Sequence, residues 1–557
     1  MPASLSISTI VQPKQTSRLR TSLLLAASAL VISAPLQAGW RSTLYPEDWK
    51  PGYHDEKDRF LHDFSYAGYH RGEVDIPART GEVIDVTAAP YKADPSGKTD
   101  STASIQSALD AAMAAGGGIV FLPPGTYRVS PPENQKVVLR VEGDNIVLRG
   151  AGADKTHIFN DSFQMREKTI IEVKSRDATW WYANGKNSPA TADFANGSLV
   201  LPVADVSIFQ PGDAIAIRND PTDAFIASLG MTGKWTSQNL KNRALVFFRR
   251  VVSINPAAGT LTIDAPIRYG LRKDDGARVV KLGGHSISEV GLEDFSIGMA
   301  AHPGEGWGEE DFGQEGTAAY DVHQSHAIVF TSAENCWMRR VNSWNPPENP
   351  PDLHILSNGV KFEKSRQITA VDCDWRHPQY RGGGGNGYLY TLHGNECLVT
   401  KCKATGGRHN YDFGTMSASG NVLFDNLAKD GRLGSDFHMF FSVTNLLDNM
   451  TCDGDFLEAI YRRWGGNPVH GVTTTESVFW NTNGLRYIAS PFEFGGTMHD
   501  RPQILVESEQ FGNGYVIGTR GPASKVKTSN FLEGEGLGDT LEPASLYKDQ
   551  LKRRLGR

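Results

Sequence analysis

Apolar residues in this chain come in short runs broken by polar turns, a texture that favours many brief strands over long helices. Val83-Ile84-Asp85-Val86 reads as a strand and Asp94-Pro95-Ser96-Gly97 as a turn. Asp100 or Ser101 then stands where a helix cap is needed, ahead of Ile105, Ala108, Leu109, Ala112 and Met113 on one helical face. Gly116-Gly117-Gly118 stops that helix. Ile119-Val120-Phe121-Leu122 follows as a buried strand, and Pro123-Pro124-Gly125-Thr126-Tyr127 as a turn.

Farther along, the strands recur. Segments opening at Ile328, Val360, Tyr388, Tyr411, His438 and Val472 each lead through a turn into a second strand, such as Ile368–Val371 or Cys397–Thr400. The second strands end at Asn342, Cys373, Cys402, Asn426, Cys452 and Asn481, about 24 to 31 residues apart. Such a period, with one small polar or thiol residue per turn, is what a solenoid of stacked coils requires. Asparagines hydrogen-bond along a column of this kind, and thiols fill the same volume as small apolar groups. The spacing predicts that Cys373, Cys402 and Cys452 are buried wall.

The stretch from Ile84 to Val129, with its amphipathic helix, its Gly116 triplet and Leu122-Pro123-Pro124-Gly125-Thr126-Tyr127, resembles the opening of the pectate-lyase-like superfamily. The resemblance implies an all-β fold, a single-stranded right-handed parallel β-helix whose N-terminal end is plugged by that helix. Ala544–Leu555, a charged amphipathic segment, is expected to form a C-terminal helical cap, since an uncovered sheet end is a liability. The superfamily includes lyases, hydrolases, transferases and phage tailspikes, so the resemblance implies a fold and not a reaction. The Asn-Thr-Asp, Asp-Asp, Gly-His-Gly and Arg-x-Lys motifs of polygalacturonases are missing at corresponding coils, as are Trp-x-Asp-His and Arg-x-Pro-x-x-Arg of pectate lyases. Asn481-Thr482-Asn483 comes near the first but lacks the carboxylate.

The expected organisation is a signal peptide over 1–38, an irregular leader over 39–80, the β-helix over 81–500 and C-terminal strands with a capping tail over 501–557. Lys14, Arg18 and Arg20 ahead of the apolar run Leu23–Ser33, with Leu36-Gln37-Ala38 as the cut, give the first of these. Export to a periplasm or the cell exterior follows as an expectation. No apolar run approaches the roughly 20 residues that a bilayer-spanning helix needs, so membrane insertion is not expected. A formal charge of −7 without a basic tract argues against a nucleic-acid partner. Five cysteines, an odd number at no zinc-like spacing, argue against both a disulfide framework and a zinc centre. The pattern fixes no oligomeric state.

Candidate chemistry gathers where the loops enter the first strands. His326, Asn358, Asn386, Asn410, Asp436 and His470 precede them, and in isolation are ordinary turn residues. Arg381, Arg408, Arg432, Arg462 and Arg463, however, arrive at the same edge from four consecutive coils of an acidic chain, with Tyr380, Tyr461 and Trp464 beside them. Guanidinium forks bind carboxylates or sulfates, and aromatic rings stack on sugars. The implied partner is an acidic polysaccharide. For β-elimination from a uronate, Arg408, His409, Asp436, His438, Tyr461 and Arg463 form the expected catalytic set. Arginine would stabilise the enolate-like state, while histidine or tyrosine would move protons. Asn358, Tyr380, Arg381, Asn386, Arg432, Trp464 and His470 are the expected substrate-binding residues.

Two alternatives stay open. Asp412 and Asp436, about one coil apart, with Asp453, Asp455 and Glu458 nearby, supply the paired carboxyl groups of a glycoside hydrolase. A carbohydrate-binding solenoid without catalysis fits the same surface. The acidic loop Glu305–Phe312 offers oxygen ligands for Ca²⁺ but lacks EF-hand spacing, and the pattern calls for no other metal or cofactor.

Overall fold

The computed structural model describes residues 39–557 apart from 178–184, 464–467, 469, 490 and 495–496. The expected signal peptide and Trp464 lie outside the described residues. The chain winds into a parallel β-helix whose walls are two large parallel sheets, one of nineteen strands and one of twelve. The twelve-stranded sheet carries the candidate chemistry. Along the axis it includes Thr169–Lys174, His326–Thr331, Asn358–Arg366, Tyr388–Asn395, His409–Phe413, Ser435–Phe437, Leu457–Ala459, Val506–Ser508 and Val526–Thr528, each parallel to the next.

Two columns of left-handed residues bend each coil. Asn335, Gln367, Glu396, Gly420, Thr444 and Glu476 form one corner, and Arg340, Asp372, Lys401, Asp425, Asn449 and Asn481 the other, all with positive φ. A single αL residue reverses the chain sharply, and Asn or Asp tolerates that conformation better than most side chains. Between the corners, inward residues such as Ile368, Leu389, Val399, Leu423 and Phe479 build one continuous core.

The ladder columns differ from expectation by a register of one or two residues. Cys373, Cys402 and Asn426 do stack, and Asn426 Oδ1 accepts from the Cys402 N–H at 2.8 Å. Asn481 falls instead in the αL corner, and Cys452 pairs with Ala428. A second column runs through Cys397, Asn421, Asn445 and Ser477, in which the Asn421 side chain donates to Asn445 Oδ1 at 2.9 Å. All five thiols are buried and unpaired, as a wall role requires.

Helix Thr102–Ala114 buries Ile105, Ala108, Leu109 and Ala112 in the first coils, at the expected end. Residues 40–69 and helix Leu546–Leu555 together cover the outer flank of the nineteen-stranded sheet, where Leu44, Tyr45, Phe64 and Tyr547 pack on Val422, Leu446, Val478 and Trp480. The stretch 81–500 is not all β-helix. Six strands between Asn187 and Lys281 form a separate antiparallel sheet with its own core of Phe194, Leu201, Ile215, Phe247 and Leu261. A fully buried carboxylate, Glu396, pins this insert by taking Arg249 at 2.8 Å and Arg268 at 2.6 Å. Among the described residues no helix is long and apolar enough to cross a membrane.

Candidate active site

Strand register assembles the site. Thr391, Asp412, Asp436, Glu458 and Glu507 stand on consecutive rungs, so four carboxyl groups succeed one another at roughly the 4.8 Å strand spacing. Tyr388 pairs with His409 on the neighbouring register. His438 follows two residues after Asp436, which returns it to the same face of its strand.

Asp436 is the hub. Its Oδ2 lies 3.1 Å from His438 Nδ1 and also takes the Arg462 guanidinium, while its Oδ1 lies 3.2 Å from His409 Nδ1. Arg462 reaches on to Glu458 at 3.0 Å. Because a carboxylate faces Nδ1 of His438, the proton belongs there, which leaves the Nε2 lone pair toward the Tyr388 hydroxyl at 3.2 Å. His409 donates Nδ1–H to the Gly434 carbonyl at 2.7 Å, and its buried Nε2 has no hydrogen-bond partner.

Burial and the surrounding cations tune these groups. Burial, chiefly, lowers His438 to about 4, so it is a neutral imidazole at pH 7. Burial, His438 and two arginines hold His409 well below its ordinary value too. Burial and the Asp412 carboxylate push the Tyr388 phenol upward, keeping it protonated. Glu458 is raised to about 8 by burial and by Glu507 on the next rung. His393 behaves oppositely: burial disfavours its charge, but Asp412 at 3.5 Å and Glu363 at 3.2 Å outweigh burial and raise it.

Arg408 and Arg432 converge from successive loops, and both donate to the Arg381 carbonyl. They share one carboxylate, that of Glu309, at 2.5 and 2.8 Å. Glu309 belongs to the acidic loop, which is held down by the Tyr380 hydroxyl on the Gly308 carbonyl and by Gly383 N–H on the Glu309 carbonyl. Asp311 of that loop accepts from Gly308 N–H. Two of the acids proposed for Ca²⁺ are thus engaged within the protein.

Of the expected catalytic set, Arg408, His409, Asp436 and His438 come together. Tyr461 does not join them; it packs toward the insert beneath the Lys234 ammonium, 5.1 Å from its ring centroid. Arg463 points outward at 65% side-chain exposure and pairs with Glu509. Its neighbour Arg462 takes the inner position. Among the expected binding residues, Arg381 is exposed, Arg432 is half-buried, and the His470 ring lies 5.5 Å from that of His438. Asn358, Asn386 and Tyr380 are buried scaffold: Asn358 Oδ1 receives Tyr388 N–H, Asn386 Oδ1 receives Gln324 N–H, and Tyr380 anchors the loop.

The sequence pattern gives Tyr388 and His393 no chemical role, and places Arg462 among the loop arginines but outside the catalytic set. A two-residue slip hid the tyrosine, because Asn358 pairs with Tyr388 rather than Asn386. His409, Asp436 and His438 bring three ligand-type atoms within 4.8 Å of one another, the spacing of a metal centre. The cation at Asp436 Oδ2 is already the Arg462 guanidinium, and a divalent ion there would meet its positive charge.

Known proteins share parts of this chain. Residues 86–187 match the family model described as rhamnogalacturonase A/epimerase, pectate lyase-like. That match covers the opening of the parallel β-helix described above. Short stretches are similar to Azotobacter vinelandii enzymes: mannuronan C5-epimerase AlgE6, 45% identical over 78 residues, and alginate lyase 7, 47% over 62. These cover 14% and 11% of this chain, and only 9% and 7% of the respective relatives. Solved structures similar at low identity include the tailspike gp49 of Pseudomonas phage LKA1 (12%, TM-score 0.36, 81% of this chain and 78% of that one). The Azotobacter vinelandii AlgE4 A-module aligns at 12% identity and TM-score 0.29, over 81% and 96%.

Proposed function

We propose that the protein is an exported lyase that cleaves a uronate-containing polysaccharide by β-elimination. The observation that carries this reading is the line Tyr388–His438–Asp436 beside an arginine cluster. Neutral His438, oriented by Asp436, takes the C5 proton through Nε2. The C4–O bond breaks as the C4–C5 double bond forms, and Tyr388 returns a proton to the leaving oxygen. Arginines neutralise the uronate carboxylate so that charge can build at C5. That Arg408 and Arg432 already hold the Glu309 carboxylate supports their suitability for such a group. The alginate-directed names of the short-range relatives agree with a uronate substrate.

The carboxyl column favours a second reading, glycoside hydrolysis. Glu458, raised to about 8, would hold a proton at neutral pH one rung from Asp436, whose carboxyl group meets the Arg462 guanidinium. That spacing, roughly 4.8 Å, is near the separation used by retaining enzymes.

One experiment separates the readings: alginate and other acidic polysaccharides are followed at 235 nm, with reducing ends assayed in parallel and C5 deuteration read in D₂O. Rising absorbance supports elimination. Reducing ends without absorbance move the chemistry to Asp436 and Glu458. Deuterium at C5 without cleavage retains the proton transfer but makes the enzyme an epimerase. No change in any readout overturns catalysis on these substrates.

A further inference from the structure

A cavity of about 500 Å³, within the size range of small-ligand sites, is lined by the antiparallel insert and by Glu476 of the β-helix. Its lining contrasts with the arginine-rich groove. Asp193, Asp275 and Glu476 bring three carboxylates against a single cation, Arg272. The polar atoms are held in place. Glu476 receives His62 Nε2 at 2.7 Å and the Asn196 amide nitrogen at 3.0 Å. Asp275 receives the Thr222 hydroxyl and lies 3.3 Å from Arg272. Asn219 Oδ1 is fixed by Leu245 N–H at 3.1 Å. Tying its nitrogen to Glu476 fixes the Asn196 amide, whose Oδ1 is left buried without a hydrogen-bond partner. Phe194, Phe225 and Tyr269 add apolar surface to the same cavity.

Three carboxylates against one guanidinium give this lining a charge that repels anions. The complementary occupant brings several hydroxyl donors, an apolar ring face and no negative charge. We propose that the cavity is an ancillary binding site for a neutral saccharide unit, separate from the groove and independent of the reaction performed there. Such a site would let the protein hold a glycan that mixes neutral and uronate sugars at two places.

The test is saturation-transfer NMR on the full chain with millimolar glucose, galactose, mannose and N-acetylglucosamine, and glucuronate as the anionic control. At least one neutral sugar should receive saturation. That signal should survive in His438→Ala, which alters only the groove. Ser228→Trp, at the cavity mouth, should weaken binding about tenfold or more. Asn196→Leu serves as a second variant that removes the orphaned acceptor, with thermal melting confirming that each variant folds. Absence of transfer from every neutral sugar overturns the proposal. So does transfer that persists undiminished in both cavity variants, or that disappears in His438→Ala.

Discussion

Asp436 holds His438 and Arg462 through one oxygen, while its other oxygen lies 3.2 Å from His409, so the proton-carrying parts of the site meet at one carboxylate. His438→Ala and Tyr388→Phe should each lower kcat by about 10²- to 10⁴-fold while leaving the melting temperature near that of the parent, since proton transfer and not packing is lost. Near-parental turnover from either variant would remove that residue from the mechanism. The pH dependence follows from burial. With His438 at about 4, the acid limb of kcat should fall near pH 4 rather than near the ordinary histidine value. The same shift has a stability consequence. Between those two pH values the unfolded chain binds a proton at this position and the native protein does not, so stability falls as pH falls through the window, by on the order of 3 kcal/mol when complete. Urea midpoints for the parent and His438→Gln, compared at both ends of the window, would show this as a shallower slope in the variant. At this scale the sequence already displayed Arg408, His409, Asp436 and His438, because loop arginines and strand histidines stand out in an acidic chain. Tyr388 did not stand out, and Arg462 was not told apart from Arg463, since choosing between neighbours needs exact register, and a slip of one or two residues exchanges one side chain for another.

The elements explain that slip. The coils are fixed by two αL corners, whose residues include Gln, Glu, Lys, Arg and Thr as well as Asn, Asp and Gly. A motif search for small polar residues therefore lands near a corner without marking which residue occupies it; Asn481 is a corner residue and Asn426 a ladder residue. The thiol wall was legible because a buried small side chain must recur at each coil. Cys402→Arg, which places an unpaired charge in that wall, should prevent soluble expression, and a variant that melts like the parent would refute the ladder. The insert was invisible for a related reason: its alternating antiparallel strands carry no coil period, and nothing local separates them from solenoid strands. Its attachment rests on Glu396 between Arg249 and Arg268, all fully buried. Glu396→Gln leaves two guanidinium groups without their counter-charge and should cost about 3–5 kcal/mol, read from denaturant unfolding. The insert should also become the first site of limited proteolysis. An unchanged cleavage pattern would mean that the apolar contacts of Met416, Phe441 and Val443 hold it unaided.

For the whole molecule, charge is unevenly placed. The chain carries a formal charge of −7, yet Arg381, Arg408 and Arg432 crowd one stretch of the groove. A polyanionic substrate feels repulsion from the body at long range and attraction from the arginines on contact. Salt screens these unequally, because the Debye length falls from about 30 Å at 0.01 M to about 10 Å at 0.1 M and 3 Å at 1 M. Raising salt through the first interval should suppress the distant repulsion and lower KM. Raising it further should weaken the contact attraction and raise KM, while kcat stays nearly level because the chemistry is enclosed. Arg432→Ala should flatten the high-salt limb and leave the low-salt limb in place, since it removes one contact charge and scarcely alters the body. Steady-state kinetics on one uronate polymer across that range decide the matter. A KM independent of salt would dissociate the arginine cluster from recognition of this polyanion altogether.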